Sequence, residues 1–194
     1  MSIDLVRQEL NAINALRENR KRVANIVLAD ESLVKELVFL TFLVDDKISI
    51  KAAWVLEWMC THNSIELILP YLNEFTNNIS HLHFDSAMRP CAKICEHLAM
   101  AKTSKNKNLI QEKLTESHID KIIETGFDWL LTPQKIAVRA YIMNTLYLFG
   151  LQRDWIHPEL KNIISTKIIH ESKGTKARGK QILILIEKHQ KRTS

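Results

Sequence analysis

Glycine and proline are scarce in this sequence, four of each in 194 residues. So few backbone breakers argue against a turn-rich all-β chain and suit long helices joined by short turns. Cysteine occurs three times, an odd number that excludes a fully paired disulfide framework. With no secretory apolar segment after Met1-Ser2-Ile3-Asp4-Leu5-Val6-Arg7, a reducing, cytoplasmic setting is the expectation. No apolar run approaches the roughly 18 residues a membrane span needs. Leu37 to Val44 is among the longest, and Thr41 interrupts it, so no membrane association is expected. A glycine-rich phosphate loop and a GxSxG turn are both missing, as are CxxC, HxxxH and HExxH spacings. Cys91 and Cys95, with His81, His83 and His97 nearby, make a poor zinc set. The expectation is no catalytic residue, no metal and no cofactor.

What is present has ordinary globular proportions, 46% hydrophobic and 25% charged. The net charge of +5 is unevenly placed. Residues 1–160 hold 18 basic and 20 acidic side chains, whereas residues 161–194 hold nine basic ones against Glu171 and Glu187. Such a basic block attracts phosphate or an acidic protein, and it equally suits the solvated outer face of a terminal helix.

Hydrophobic periodicity divides the chain into about ten helices. Ile3, Val6, Leu10, Ile13 and Leu16 share one helical face. A second helix is expected over 19–29, and a third starts near Asp30 with Leu33, Leu37, Leu40 and Phe42. Asp45 or Asp46 can cap a helix over 48–61, because a carboxylate accepts from the free amides of a first turn. Ser64 opens the next, which Pro70 should kink. Ser117 with Asp120 resembles a capping box. Thr132-Pro133 reads as N-cap and first residue of a helix that Gly150 ends, and His157-Pro158 as a similar start. Lys173-Gly174-Thr175 should divide that helix from the last one. Residues 102–108, seven polar positions in succession, read as an inserted, mobile loop.

A basic residue followed by small and apolar ones recurs at Lys51, Arg89, Arg139 and Arg178, spaced by 38, 50 and 39 positions. A period near 40 with a helix pair in each unit is the signature of an α-solenoid. At a shift of 39 Ala52, Ala53, Val55, Leu56, Met59 and Cys60 each meet an apolar residue between Cys91 and Ala99, while Lys51 meets Pro90 rather than Arg89. Cys60, Cys91 and Cys95 then read as small core residues. Over roughly residues 30–190 the chain resembles HEAT-like and armadillo-like α-solenoids, which typically show an Asp in the turn six residues before an Arg or Lys of the inner helix. Asp45 with Lys51 fits; His83, Pro133 and Ser172 stand at the other corresponding positions. The resemblance implies an all-α, right-handed α-α superhelix of about ten helices in four to five HEAT-like pairs, forming a single domain over 1–194.

In that arrangement Lys51, Trp54, Glu57 and Trp58 share one side of an inner helix, with Arg89, Lys93, Glu96 and His97 on its neighbour. Arg139, Arg178 and Gln181 would extend the stripe. The expected function is a non-catalytic scaffold presenting this concave surface to a protein partner. Trp54 and Trp58 would act as anchors if exposed, though tryptophan at helical spacing is more often core. Lys51, Arg89, Lys93 and Arg139 would set orientation, and Lys93 and Arg139 are expected to tolerate reversal to Glu without unfolding.

Two alternatives come from other resemblances. In architecture and basic pI the chain is similar to the solenoid DNA glycosylases that excise alkylated bases. That resemblance implies phosphate contacts through Lys173, Lys176, Arg178 and Lys180 and base stacking on Trp54, Trp58, Trp129 or Trp155, with Glu57 and Glu96 opposing it. Ser86-Ala87-Met88, Pro90 and Lys93 resemble the signature loop of the fumarase and adenylosuccinate lyase superfamily. The extra Arg89, the missing glycine and asparagine, and a chain under half the usual length weigh against a lyase.

Overall fold

Short polar side chains set several of the helix starts in this chain, and a computed structural model shows where they fall. It describes residues 2–193, with side chains over residues 4–192; the Ile3 side chain, assigned above to the first helical face, lies outside them. The described residues form eleven α-helices and no strand. In chain order they are α1 Ser2–Asn11, α2 Arg17–Ala29, α3 Ser32–Thr41, α4 Ile48–His62, α5 Leu72–Asn78, α6 Asp85–Lys102, α7 Leu109–Lys113, α8 Glu116–Leu131, α9 Ile136–Gly150, α10 Ile156–Thr166 and α11 Lys173–Thr193. Tighter 3-10 turns cover Ile65–Tyr71, Ile79–His81 and Ile168–His170.

Several starts follow the expected chemistry. Asp30 Oδ1 accepts from the Ser32 amide at 3.0 Å, Asp46 Oδ1 from the Ile48 amide at 2.9 Å and Ser64 Oγ from the Glu66 amide at 3.1 Å. Others move. The capping box is Thr115 with His118, two residues before the expected Ser117–Asp120 pair, because the His118 ring can serve the Thr115 amide. Thr132 ends α8 instead of starting α9: its hydroxyl donates back to the Asp128 carbonyl at 2.8 Å, and α9 waits until Ile136. The first helix stops at Asn11, so Ile13 is buried in the following turn and Leu16, the residue before α2, is 61% exposed. Pro70 sits in the 3-10 turn, where a missing amide is better tolerated than in mid-helix. Lys173, Gly174 and Thr175 belong to α11; the division falls earlier, where Ser172 Oγ lies 3.4 Å from the Thr175 amide.

Helix ends use hydroxyls where a glycine-rich chain would use glycine. Thr41, Thr76, Thr103 and Thr166 each donate to the carbonyl four residues earlier at 2.8 Å, and Asn78 Nδ2 donates to Glu74 at 2.7 Å. No described residue has a left-handed backbone conformation.

The chain has two compact units, Met1–His97 and Leu98–Ser194, the division falling within α6. In the first, α3 packs on α1, α2 and α4, and α4 also on α1 and α2. Helix α4 is buried around most of its circumference, including Ala52, Ala53, Val55, Leu56 and Met59. Each fully buried side chain of Leu or Ile size contributes about 1.5–3 kcal/mol. Cys60, Cys91 and Cys95 are buried as expected, and burial pushes the Cys60 and Cys95 thiols up to about 12.

In the second unit α9 is central, packing on α8, α10 and α11. Gly179 brings α11 close to α10 and the turn after it; a Cβ there would lie 3.0 Å from Ile164 Cγ2 and 3.1 Å from Ile168 Cγ2. The polar stretch 102–108 is cross-tied. Lys102 Nζ donates to the Gln111 and Leu114 carbonyls at 2.9 and 2.8 Å, Asn108 Nδ2 to Ala101 at 2.8 Å, and Gln111 Nε2 to Ser104 at 2.7 Å.

Candidate functional site

In the first unit the residues of α4 and α6 that share a helical stripe do meet, through a buried carboxylate. Glu57 is 3% exposed, and its Oε1 accepts from Lys93 Nζ at 2.5 Å and from the Thr61 hydroxyl at 2.9 Å. Arg20 Nη1 on α2 lies 3.9 Å from Oε2. Burial pushes the Glu57 carboxyl up, but Lys93, Thr61 and the nearby charge of Arg89 outweigh it, so its pKa lies below the ordinary 4.5. Thr61 spends its single hydroxyl proton on Glu57, so His97 Nε2, 3.3 Å from the same oxygen, carries a hydrogen and donates to it. Burial foremost, with the Lys93 charge, lowers the His97 pKa and keeps the ring neutral.

The two tryptophans occupy different environments. Trp58 is only 9% exposed. His62 stacks on it with ring centroids 3.8 Å apart, and the guanidinium carbons of Arg17 and Arg20 lie 5.4 and 5.5 Å from its centre. Trp54 is half-buried and donates from Nε1 to the Ser86 carbonyl at 3.0 Å. Lys51, also half-buried, donates to the Asn11 carbonyl at 3.0 Å. Arg89 and Glu96 are half-buried as well. Asp46 pairs with Arg7 at 3.0 Å, and Asp45 Oδ1 lies 3.9 Å from His83 Nε2. Ser86, Ala87, Met88, Pro90 and Lys93, the residues of the lyase-like stretch, lie on α6, with Ala87, Met88 and Pro90 buried.

The second unit carries Arg139, Arg178 and Gln181. Arg139 is 6% exposed; its Nη2 donates to the Thr132 carbonyl at 2.7 Å, and Nη1 faces the Glu171 carboxylate. Arg178 Nε donates to the Ala140 carbonyl and its Nη1 to Gln181 Oε1, at 3.4 and 3.3 Å. Trp129 is buried, whereas Trp155 is 56% exposed and lies 5.8 Å from the Phe127 ring.

Lys93 and Arg139 are therefore not freely reversible surface charges. A glutamate at 93 would confront buried Glu57, and one at 139 would confront Glu171, so the expectation that both tolerate reversal is corrected. Sequence reading also missed Arg17 and Arg20, whose spacing of three on α2 was the available signal, and Glu171, for which local sequence offered none.

Among the described residues, no group of three or more His, Cys, Asp and Glu side chains is arranged to hold a metal ion, and no helix is long and apolar enough to cross a membrane. No protein-family model, curated protein or solved structure matches the chain.

Proposed function

We propose that this protein is a HEAT-like, non-catalytic module that binds a protein partner through the α4–α6 face of its first unit. The observation that carries the reading is the mutual fixing of that face. Glu57 holds Lys93 and Thr61, Ser86 holds Trp54, and Asn11 holds Lys51, while Lys51, Trp54, Arg89 and Lys93 each keep part of the side chain accessible. Side chains already immobilised lose less entropy on association, typically about 0.5–1.5 kcal/mol apiece. Packing of consecutive helices, α3 on α4 and α8 on α9, supports the HEAT-like part of the reading.

The test is affinity purification with Lys51→Ser/Arg89→Ser, a variant that leaves the Glu57–Lys93 pair intact and whose fold is checked by circular dichroism. A partner retained by the native protein and lost by the folded variant supports the reading; an identical set of bound proteins rejects it.

A second reading, nucleic-acid binding, draws on α11. Lys173, Lys176, Lys180 and Lys191 recur at helical spacing and are exposed. Arg178, by contrast, is engaged with Ala140 and Gln181. Anisotropy titration of a labelled 20-mer duplex decides it: binding that falls steeply with salt and is lost in Lys176→Glu/Lys180→Glu supports this reading, and no binding at low salt ends it.

A further inference from the structure

The second unit contains a cleft of about 540 Å³ whose lining includes Arg139, Gln134, Lys167, His170, Glu171 and Leu131. Its construction follows from two helix ends. Helix α8 stops at Leu131, the chain runs without regular structure through 133–135, and Arg139 in the first turn of α9 reaches back to the Thr132 carbonyl. Opposite, α10 ends at Thr166, and Lys167, His170 and Glu171 follow it.

Besides Arg139 Nη1, which faces the Glu171 carboxylate, two buried polar atoms there make no hydrogen bond. Arg139 Nε, a donor, and Gln134 Oε1, an acceptor, are both buried without a hydrogen-bond partner. Each such group costs stability relative to a satisfied one. The Arg139 side chain is more than nine-tenths buried, and Glu171 lies against it in the cleft lining. The arrangement with Glu171 in place is thus under-satisfied, and an incoming group offering both an acceptor and a donor improves on it.

We propose that this cleft receives an acidic segment of the protein partner, whose Glu or Asp carboxylate replaces Glu171 on Arg139. The proposal rests on the protein-binding reading and adds the chemistry of the partner. A carboxylate is the favoured anion because a carboxylate already sits against Arg139, and because a planar fork of donors suits its two oxygens. Lys167 and His170 stand exposed at the rim, where Lys167 Nζ is only loosely engaged, 3.5 Å from the Leu131 carbonyl. Lys167 supplies charge for approach, while Gln134 Oε1 offers an acceptor for a peptide N–H. Leu131, 48% exposed, gives the segment an apolar flank. The Glu171 carboxylate already faces the Arg139 guanidinium, so the native side chain competes with the ligand for the same donors.

The test uses two pools of fluorescein-labelled, end-capped hexapeptides, identical except for Glu or Gln at one central position, titrated against the full chain. The native protein should prefer the Glu pool by about tenfold, the equivalent of one charge-assisted hydrogen bond. Glu171→Gln removes the competing charge without burying a new one and should tighten the Glu pool alone. Lys167→Glu should abolish the preference, while Lys180→Glu, the same charge change on α11, should preserve it. Equal binding of the two pools, no response to Glu171→Gln, or equal effects of the 167 and 180 variants would overturn the proposal. Displacement of the peptide by inorganic phosphate at concentrations where acetate is inert would reassign the cleft to phosphate and also overturn it. These outcomes are separate from partner capture by the α4–α6 face, which Lys51 and Arg89 report independently.

Discussion

Lys93 on α6 donates to Glu57 on α4 at 2.5 Å, joining two helices through a carboxylate that is almost wholly removed from water. Lys93→Met would leave that carboxylate with the Thr61 hydroxyl and a distant Arg20, and should destabilise the protein by about 2–3 kcal/mol. Adding Glu57→Gln to the same chain should restore part of the loss, because the orphaned charge is gone. Urea denaturation of the two variants checks both statements, and a double variant no more stable than the single one contradicts the pair's assigned role.

Gly150 closes α9 directly against the His157 ring. A Cβ at this position would lie 2.2 Å from His157 Cδ2 and 2.5 Å from Nε2, and the ring is held by its hydrogen bond to the Tyr147 carbonyl at 2.9 Å. Gly150→Ala should therefore cost about 1–3 kcal/mol through overpacking, although alanine is the better helix former. A melting temperature equal to or above that of the native chain would show that the ring gives way freely.

Acidification should weaken the fold in two stages. His97, His118 and His157 all have pKa values lowered below the ordinary 6.5, chiefly by burial. Each is neutral in the folded chain and takes a proton more readily when unfolded, so its contribution is complete above pH 6.5 and is lost as pH falls toward the depressed folded value. The lowered Glu57 and Asp46 carboxyls act the same way further down, their stabilisation present above their ordinary values near 4 and lost as pH drops through the folded ones. Melting temperature measured from pH 7.5 to 3.5 should decline throughout. A plateau between pH 6.5 and 5.5 would remove the histidines from this account.

Thiol chemistry gives a direct probe of burial. Cys60, Cys91 and Cys95 are enclosed, and the thiols stay protonated at neutral pH. Ellman's reagent should label none of them in the native protein and all three in denaturant. Fast native labelling of any one would contradict the packing of α4 and α6.

Local chemistry was the legible part of this sequence. Asp46 and Ser64 announce their helices because the capping interaction spans two residues. The apolar match between Ala52–Cys60 and Cys91–Ala99 correctly places three cysteines in the core. The environment of a charged or aromatic residue was less accessible. Periodicity puts Trp54 and Trp58 on one stripe, yet Trp58 is covered because α2 brings Arg17 and Arg20 over it, while Trp54 finds the end of α6. Arg139 shares a motif with Arg178, but it is buried and faces Glu171, a partner supplied from beyond α10. Thr132-Pro133 failed as a start because the hydroxyl had a nearer use, closing the helix behind it.

The hydroxyl-terminated helix ends have a consequence for how this chain can vary. Because no described residue occupies the left-handed region, backbone stereochemistry reserves no described turn for glycine. At Gly150 and Gly179 the constraint is volume, imposed by His157, Ile164 and Ile168. Turn sequences in this protein are thus governed by hydrogen-bonding capacity and by space, two properties that several different side chains can supply, so its boundaries can drift in composition while the helices stay in register.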